Sequence, residues 1–198
     1  RLSGKISIYE MEEYTAVEID EEDDWHIAEK FMYKYVLNNK PKKEIKLFLS
    51  DVDGTLTDAG MYYGENGEEL KKFNTHDGKG FELLRKAGIK TGVITSENTK
   101  IVENRAKKMK INYLYQGLEH KGKLEVAKEI CKKESITLDD VAYVGDDINC
   151  KELLESVGMC ACPKNSAEEV KGISNIIKLS KKGGDGAVRE FVNMILKQ

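Results

Sequence analysis

The sequence predicts an α/β fold, a Rossmann-like three-layer sandwich with a mainly parallel sheet. Short apolar runs of strand length alternate with amphipathic stretches of helical period, the pattern of βαβ units covered on both faces. Acidic residues stand directly after two of those runs, as expected at the carboxyl edge of such a sheet, where ligands gather.

The elements follow in order. Residues 45–50 (IKLFLS) read as a buried strand, 88–95 (GIKTGVIT) as a second, 111–117 as a third and 141–147 (VAYVGDD) as a fourth, with 158–162 and 175–179 as two more. Amphipathic stretches at 81–87, 98–109, 124–132, 148–157 and 167–172 supply the helices between them. One insertion breaks the rhythm. Residues 61–63 and 69–73 are β-like runs around Gly-Glu-Asn-Gly, and Asn66-Gly67 is a tight-hairpin signal, so a hairpin projects beyond the first strand. The tail, KKGGDGAVREFVNMILKQ, is a glycine-rich link and a helix whose Val188, Phe191, Val192 and Ile195 share one face. Gly183, Gly184 and Gly186 lack a phosphate-binding fingerprint and read locally as a hinge.

Charge divides the chain unevenly. The 198 residues carry a formal net charge of −3, but residues 1–40 hold 5 Lys+Arg against 10 Asp+Glu, so the remainder is slightly positive. The step marks two modules, 1–40 and 41–198, with a link ending near Pro41. The body lacks the basic excess that phosphate-backbone binding requires, which argues against nucleic acid as a partner. With no apolar run of membrane-spanning length and no signal-like start, membrane association is not expected and a cytoplasmic location is. Cys131, Cys150, Cys160 and Cys162 have no ligand-type spacing and read as idle or buried thiols.

The chemistry concentrates in DVDGTLT. Asp51 and Asp53 are two apart at a strand end and so share a space, and Gly54 lets the chain turn away. Such a pair binds a hard cation or divides the roles of nucleophile and proton donor. A second acidic cluster, GDDIN, follows the strand beginning at Val141, which puts Asp146 and Asp147 on the same rim. Carboxylates converging there repel unless a cation sits among them, which points to Mg²⁺. Thr95 closes another strand, and Lys121 or Lys123 precedes a helix. A hydroxyl and an ammonium beside metal-bound carboxylates suit a phosphoryl group.

In these residues, DVDGT, the Thr95 strand end, a lysine and GDD in order, the sequence resembles the haloacid dehalogenase superfamily of phosphohydrolases. The resemblance implies an aspartyl-phosphate formed on Asp51, with Asp53 as acid and then base. It also implies Mg²⁺ held by Asp51, the Asp53 carbonyl and Asp146, with Asp147 in support, and phosphoryl oxygens bound by Thr95 and the lysine. Counting back from GDD selects Lys123, with a two-residue insertion in the loop at 118–122. The family often follows GDD with Asn-Asp, whereas here Cys150 follows Asn149. The gaps from Asp53 to Thr95 and from Thr95 to Lys123 are too short for a cap domain, so the fold expected is the capless form with a projecting hairpin.

Over residues 44–196, including KKFNTHDGKG, YLYQG and GGDGAVRE, the chain is similar to the capless 3-deoxy-octulosonate 8-phosphate phosphatases and their relatives acting on nine-carbon sialic-type acids. That group implies a homotetramer in which a neighbour's hairpin covers each site, and a tail that folds over it through Gly184, Gly186 and Arg189. Glu97, where octulosonate enzymes tend to have a Gly-Arg pair, and Lys108 imply the nonulosonate 9-phosphate branch. Residues 1–40 resemble the end of acylneuraminate cytidylyltransferases in Ile19-Asp20, Asp24-Trp25 and Ala28-Glu29, and a start at Arg1 fits a piece of a bifunctional polypeptide. Two alternatives remain, a phosphatase of octulosonate 8-phosphate and an inactive tetramerisation or regulatory module.

Overall fold

The computed structural model describes residues 10–32, 35, 44–67, 69–118 and 122–197. The chain divides into two units, Arg1–Lys42 and Lys43–Gln198. The link expected near Pro41 lies outside the described residues.

In the first unit a 3₁₀ turn, Glu13–Ala16, precedes helix α1, Glu22–Phe31. The start of α1 is fixed by a reciprocal cap, in which Asp24 accepts from the Asp20 and Glu21 amides at 3.2 and 3.0 Å. No residue of α1 is buried, and Ile19, Trp25, Ile27 and Met32 all stand exposed.

The second unit is the three-layer sandwich. Strands β1 (Leu47–Ser50), β4 (Lys90–Ile94), β5 (Tyr113–Tyr115), β6 (Val141–Val144), β7 (Met159–Cys162) and β8 (Ile177–Lys178) form one parallel sheet in the order β5-β4-β1-β6-β7-β8. Every residue of β1 and β6 is buried, because helices cover both faces and the strands therefore need unbroken apolar runs. One face carries α2 (Thr75–Lys86), α3 (Lys100–Met109) and α7 (Ala187–Ile195), with Phe48 edge-on to Phe81 at 5.5 Å and Phe191 behind them. The other carries α4 (Gly122–Glu134), α5 (Lys151–Ser156) and α6 (Glu168–Lys171) around Ile130, Tyr143 and Leu153. Val188, Phe191, Val192 and Ile195 all face inward, as their spacing predicts.

From β1 the chain moves outward to β4 and β5, then crosses to the far side of β1 for β6 and β7. The crevice at the carboxyl end of β1 is therefore the topological switch point, and Asp51 begins there. Among the described residues no cap domain intervenes. The hairpin, α2 and β4 occupy Asp53 to Thr95, and α3 and β5 fill most of the next gap. No helix of the described residues is long and apolar enough to cross a membrane.

Three local expectations change. Helix α2 begins at Thr75, well before residue 81, because Asn74 caps it by accepting from the His76 amide, a signal masked by the glycines at 78 and 80. The hairpin strands β2 (Tyr62–Tyr63) and β3 (Glu69–Leu70) pair antiparallel, but the second stops short of residue 73, and Phe73 instead bridges Thr57. The helix expected over 148–157 is split into a 3₁₀ turn at Ile148–Cys150, capped by Asp147, and α5.

Candidate active site

Asp51 continues the β1 ladder by one bond, its amide donating to Val144 O at 3.0 Å, and then the chain folds over itself. The amides of Thr55, Leu56 and Thr57 all converge on the Val52 carbonyl, and Gly54 takes φ +80° to make that turn. Glycine is required there twice over. A Cβ at position 54 would lie 1.9 Å from Asp146 Oδ2.

Asp51 is 4% exposed, and each of its oxygens has donors. The Val52 amide donates to Oδ1 at 2.8 Å, while Lys123 Nζ at 2.7 Å and Cys150 Sγ at 2.9 Å reach Oδ2. Lys123 stands in the first turn of α4 and is 1% exposed. Burial opposes its charge, but Asp51 and Cys150 together outweigh burial and hold its pKa above the ordinary value. This is the lysine that register selects; Lys121 lies outside the described residues. Burial, reinforced by Asp51, pushes the Cys150 thiol up to about 12, so it is a neutral group at pH 7. All four cysteines are free and buried, yet Cys150 is not idle.

Asp146 leaves β6 on the same rim and accepts from Thr55 Oγ1 at 3.1 Å. Burial first, and the facing Asp51 second, push its carboxyl up to about 7. Asp147 is exposed and caps the turn that follows it. Thr95 lies at the end of β4, 1% exposed, with its hydroxyl accepting from the Glu97 amide at 3.4 Å.

The sequence reading missed Lys71. Its ammonium is fully enclosed, 2.7 Å from Asp53 Oδ1, hydrogen-bonded to Glu97 Oε2 and 3.8 Å from Glu69. Burial raises the pKa of Asp53, and Lys71 pulls against it. Burial also works against the charge on Lys71, but its hydrogen bonds to Asp53 and Glu97 prevail and raise its pKa. The structure thus brings Glu97 to the site through Lys71. Lys108 stands exposed in the last turn of α3, at the opposite end of that helix from Glu97.

The glycine-rich tail touches the catalytic loop of its own chain. A Cβ on Gly183 would lie 1.8 Å from Gly54 O, and one on Gly184, itself at φ +71°, 2.6 Å from the Asp58 amide. The Gly184 amide donates to Thr55 O at 3.3 Å. The hinge expected on local grounds is therefore a packed segment. Gly186 caps α7 at φ +95°, while the Arg189 amide donates to Asp77 at 2.8 Å and its Nε to Asn193 at 2.9 Å.

The profile of the haloacid dehalogenase-like hydrolases matches residues 118–191. The 3-deoxy-D-manno-octulosonate 8-phosphate phosphatase of Escherichia coli K12 is 36% identical over 155 residues, 78% of this chain and 80% of that enzyme. The chain belongs to the haloacid dehalogenase-like hydrolases. The Moraxella catarrhalis octulosonate 8-phosphate phosphatase, solved with magnesium, phosphate and KDO, superposes with a TM-score of 0.74 at 37% identity, covering 78% of this chain and 87% of that one. A cobalt-bound Haemophilus influenzae relative gives 0.73 at 31% identity, covering 78% and 89%. Like its relatives, the chain is a phosphoric monoester hydrolase.

The donor set fits the family's cofactor, Mg²⁺. Ligand atoms of Asp51, Asp146 and Cys150 lie within 4.8 Å of one another, the two carboxylates supply hard oxygens, and the sulfur is already engaged. The bare Cα of Gly54 is what lets Asp146 approach, and the repulsion from Asp51 that adds to burial in lifting its pKa is what a cation relieves.

Proposed function

We propose that the chain hydrolyses the 9-phosphate of a sialic-type nonulosonic acid through an aspartyl-phosphate on Asp51. The observation that carries the nine-carbon assignment is Glu97, set by Lys71 beside Asp53 where octulosonate enzymes tend to have a Gly-Arg pair. Its free carboxylate oxygen accepts from sugar hydroxyls at the rim.

Asp51 attacks phosphorus, held in place by the Val52 amide and Lys123. Asp53, whose burial favours the protonated form, gives its proton to the leaving sugar oxygen, then takes one from the water that cleaves the aspartyl-phosphate. Lys123 and Thr95 bind the phosphoryl oxygens. Asp51, the Asp53 carbonyl and Asp146 would hold Mg²⁺, which would supply positive charge where phosphoryl negative charge builds. Lys71 orients Asp53 and keeps Glu97 from repelling it.

With no cap over the crevice, we assign the closure to assembly. The hairpin exposes Tyr63 and Leu70 at 68% and 66%, an apolar tip suited to a homotetramer in which it covers a neighbour's site. Lys108, exposed on α3, and Arg189 belong to the substrate site in that assembly. The uncovered apolar residues around α1 support reading residues 1–40 as the end of a cytidylyltransferase domain, the second half of a bifunctional polypeptide, joined to a phosphatase domain at 41–198.

The relatives' own substrate favours a second reading, octulosonate 8-phosphate. Measuring kcat/KM on eight- and nine-carbon acid phosphates side by side separates the two. A higher value on the nine-carbon acid is expected, and the reverse overturns the assignment. Asp51→Asn abolishes Mg²⁺-dependent phosphate release on either.

A further inference from the structure

The contacts of Cys150 go beyond burial. Its Sγ lies 2.9 Å from Asp51 Oδ2, 3.3 Å from Lys123 Nζ, 3.1 Å from the Tyr143 hydroxyl and 3.3 Å from Asn149 Oδ1. An ammonium has no acceptor, so Lys123 donates toward the sulfur, and the thiol has one proton to place. The Asp51 carboxylate is the nearer acceptor and the charged one, which makes it the stronger partner than the Asn149 amide oxygen. The Tyr143 hydroxyl, fully buried, then donates to a sulfur lone pair and fixes the direction of the S–H.

The surrounding backbone is shaped to admit this sulfur. A Cβ at Gly145 would lie 2.6 Å from Cys150 Sγ, 2.7 Å from its Cβ and 3.2 Å from the Tyr143 hydroxyl. Gly145 thus leaves the room in which the thiol and the phenol meet behind the nucleophile. A carboxylate in this place would compete with Asp51 for Lys123. The thiol donates to Asp51 and leaves the lysine's charge to Asp51 and the phosphoryl group.

We infer that Cys150 is a positioning residue for the nucleophile, a donor oriented by Tyr143 that holds Asp51 Oδ2 without adding charge beside Lys123. The inference rests on the phosphatase reading above. Since the contact acts on Asp51 and not on substrate, its loss lowers kcat and leaves KM in place.

The test is steady-state kinetics on the full chain with Mg²⁺ and p-nitrophenyl phosphate, for Cys150→Ala, Cys150→Ser, Tyr143→Phe and the Cys150→Ala/Tyr143→Phe double variant. The alanine variant is expected to lose about tenfold in kcat with KM within about twofold, and the serine variant to recover most of that loss, because a hydroxyl restores the donor. Tyr143→Phe alone costs about threefold, and nothing further in the alanine background, since it acts through the sulfur. Cys150→Ala at wild-type kcat, a serine variant as slow as alanine, or losses that multiply in the double variant would overturn the inference. If the alanine variant does not fold, Tyr143→Phe carries the test, and an unchanged kcat there overturns it. An inactive wild type overturns the phosphatase reading instead.

Discussion

Alanine at Gly183 would set the tail against the catalytic loop. Its Cβ would lie 1.8 Å from Gly54 O and 2.8 Å from Thr57 O, and both are backbone atoms with no rotamer to yield. Ordinary contact needs more than 3 Å, so one segment must retreat by about 1 Å or more. The retreat breaks the Gly183 amide's bond to Asn165 Oδ1 (2.8 Å), the Gly184 amide's bond to Thr55 O (3.3 Å) and that of Asn74 Nδ2 to Gly184 O (3.3 Å). At about 1 kcal/mol each, the loss of stability is about 3 kcal/mol. Thr55 also holds Asp146 through its hydroxyl, so a displaced loop moves a proposed metal ligand, and kcat falls by about tenfold or more. Gly67→Ala is the control, at φ +85° with nothing within 4 Å of the added Cβ, and costs only about 1 kcal/mol of backbone strain. Urea denaturation and phosphate-release assays on both variants measure the difference. A Gly183→Ala protein as stable and active as wild type would show that the tail does not brace the loop.

Two further outcomes follow from other contacts. Lys71→Met leaves Asp53 and Glu97 facing each other without their shared ammonium, and with both carboxylates roughly a third exposed the cost is about 1–3 kcal/mol, read as a 10- to 100-fold fall in kcat/KM; an unchanged value removes Lys71 from the site. Asp77, fully buried, has its carboxyl pushed up by burial to about 6 from 3.8, so between those pH values the folded state holds a proton that the unfolded state has lost, and stability falls as pH rises, by on the order of 3 kcal/mol. Urea midpoints over that range should slope downward in wild type and flatten in Asp77→Asn, and parallel curves would show that Asp77 is not the group responsible.

What the sequence discloses depends on how far apart the cooperating residues stand. Asp51, Asp53 and Asp146 are legible because each directly follows an apolar strand and parallel strands share one edge, so local pattern alone converges them. Lys123 is legible only by counting along a helix, and Thr95 only as a strand end. Cys150, Tyr143 and Asp77 work through contacts across the sheet or between helices, and one chain carries no local mark of such a meeting. The tail glycines show the same limit. Three glycines in four residues read as freedom when seen alone, whereas Gly183 and Gly184 lack side chains because the Gly54 and Thr57 backbones lie against them.

Lys71 is different, since its signal is local and inverted. In the run from Glu69 to Phe73 side chains alternate between two faces, placing Glu69, Lys71 and Phe73 on one and Leu70 and Lys72 on the other. Reading for amphipathicity would turn Leu70 inward, but Leu70 is 66% exposed and the Lys71 side chain is fully enclosed. The charged side chain goes inward because two carboxylates wait for it there, and ion pairing outweighs the gain from burying one leucine on a two-stranded hairpin. Phe73 on the same side meets the guanidinium of Arg105, so that face is held to the body of the fold. On the opposite face Leu70 and the Tyr62 paired with it stand exposed beside Lys72, which reaches Asp185 at 3.1 Å. A hairpin that turns Lys71 to its own site therefore leaves Leu70 and Tyr62 outward, and that inversion supports the second copy of the chain proposed above to lie against it.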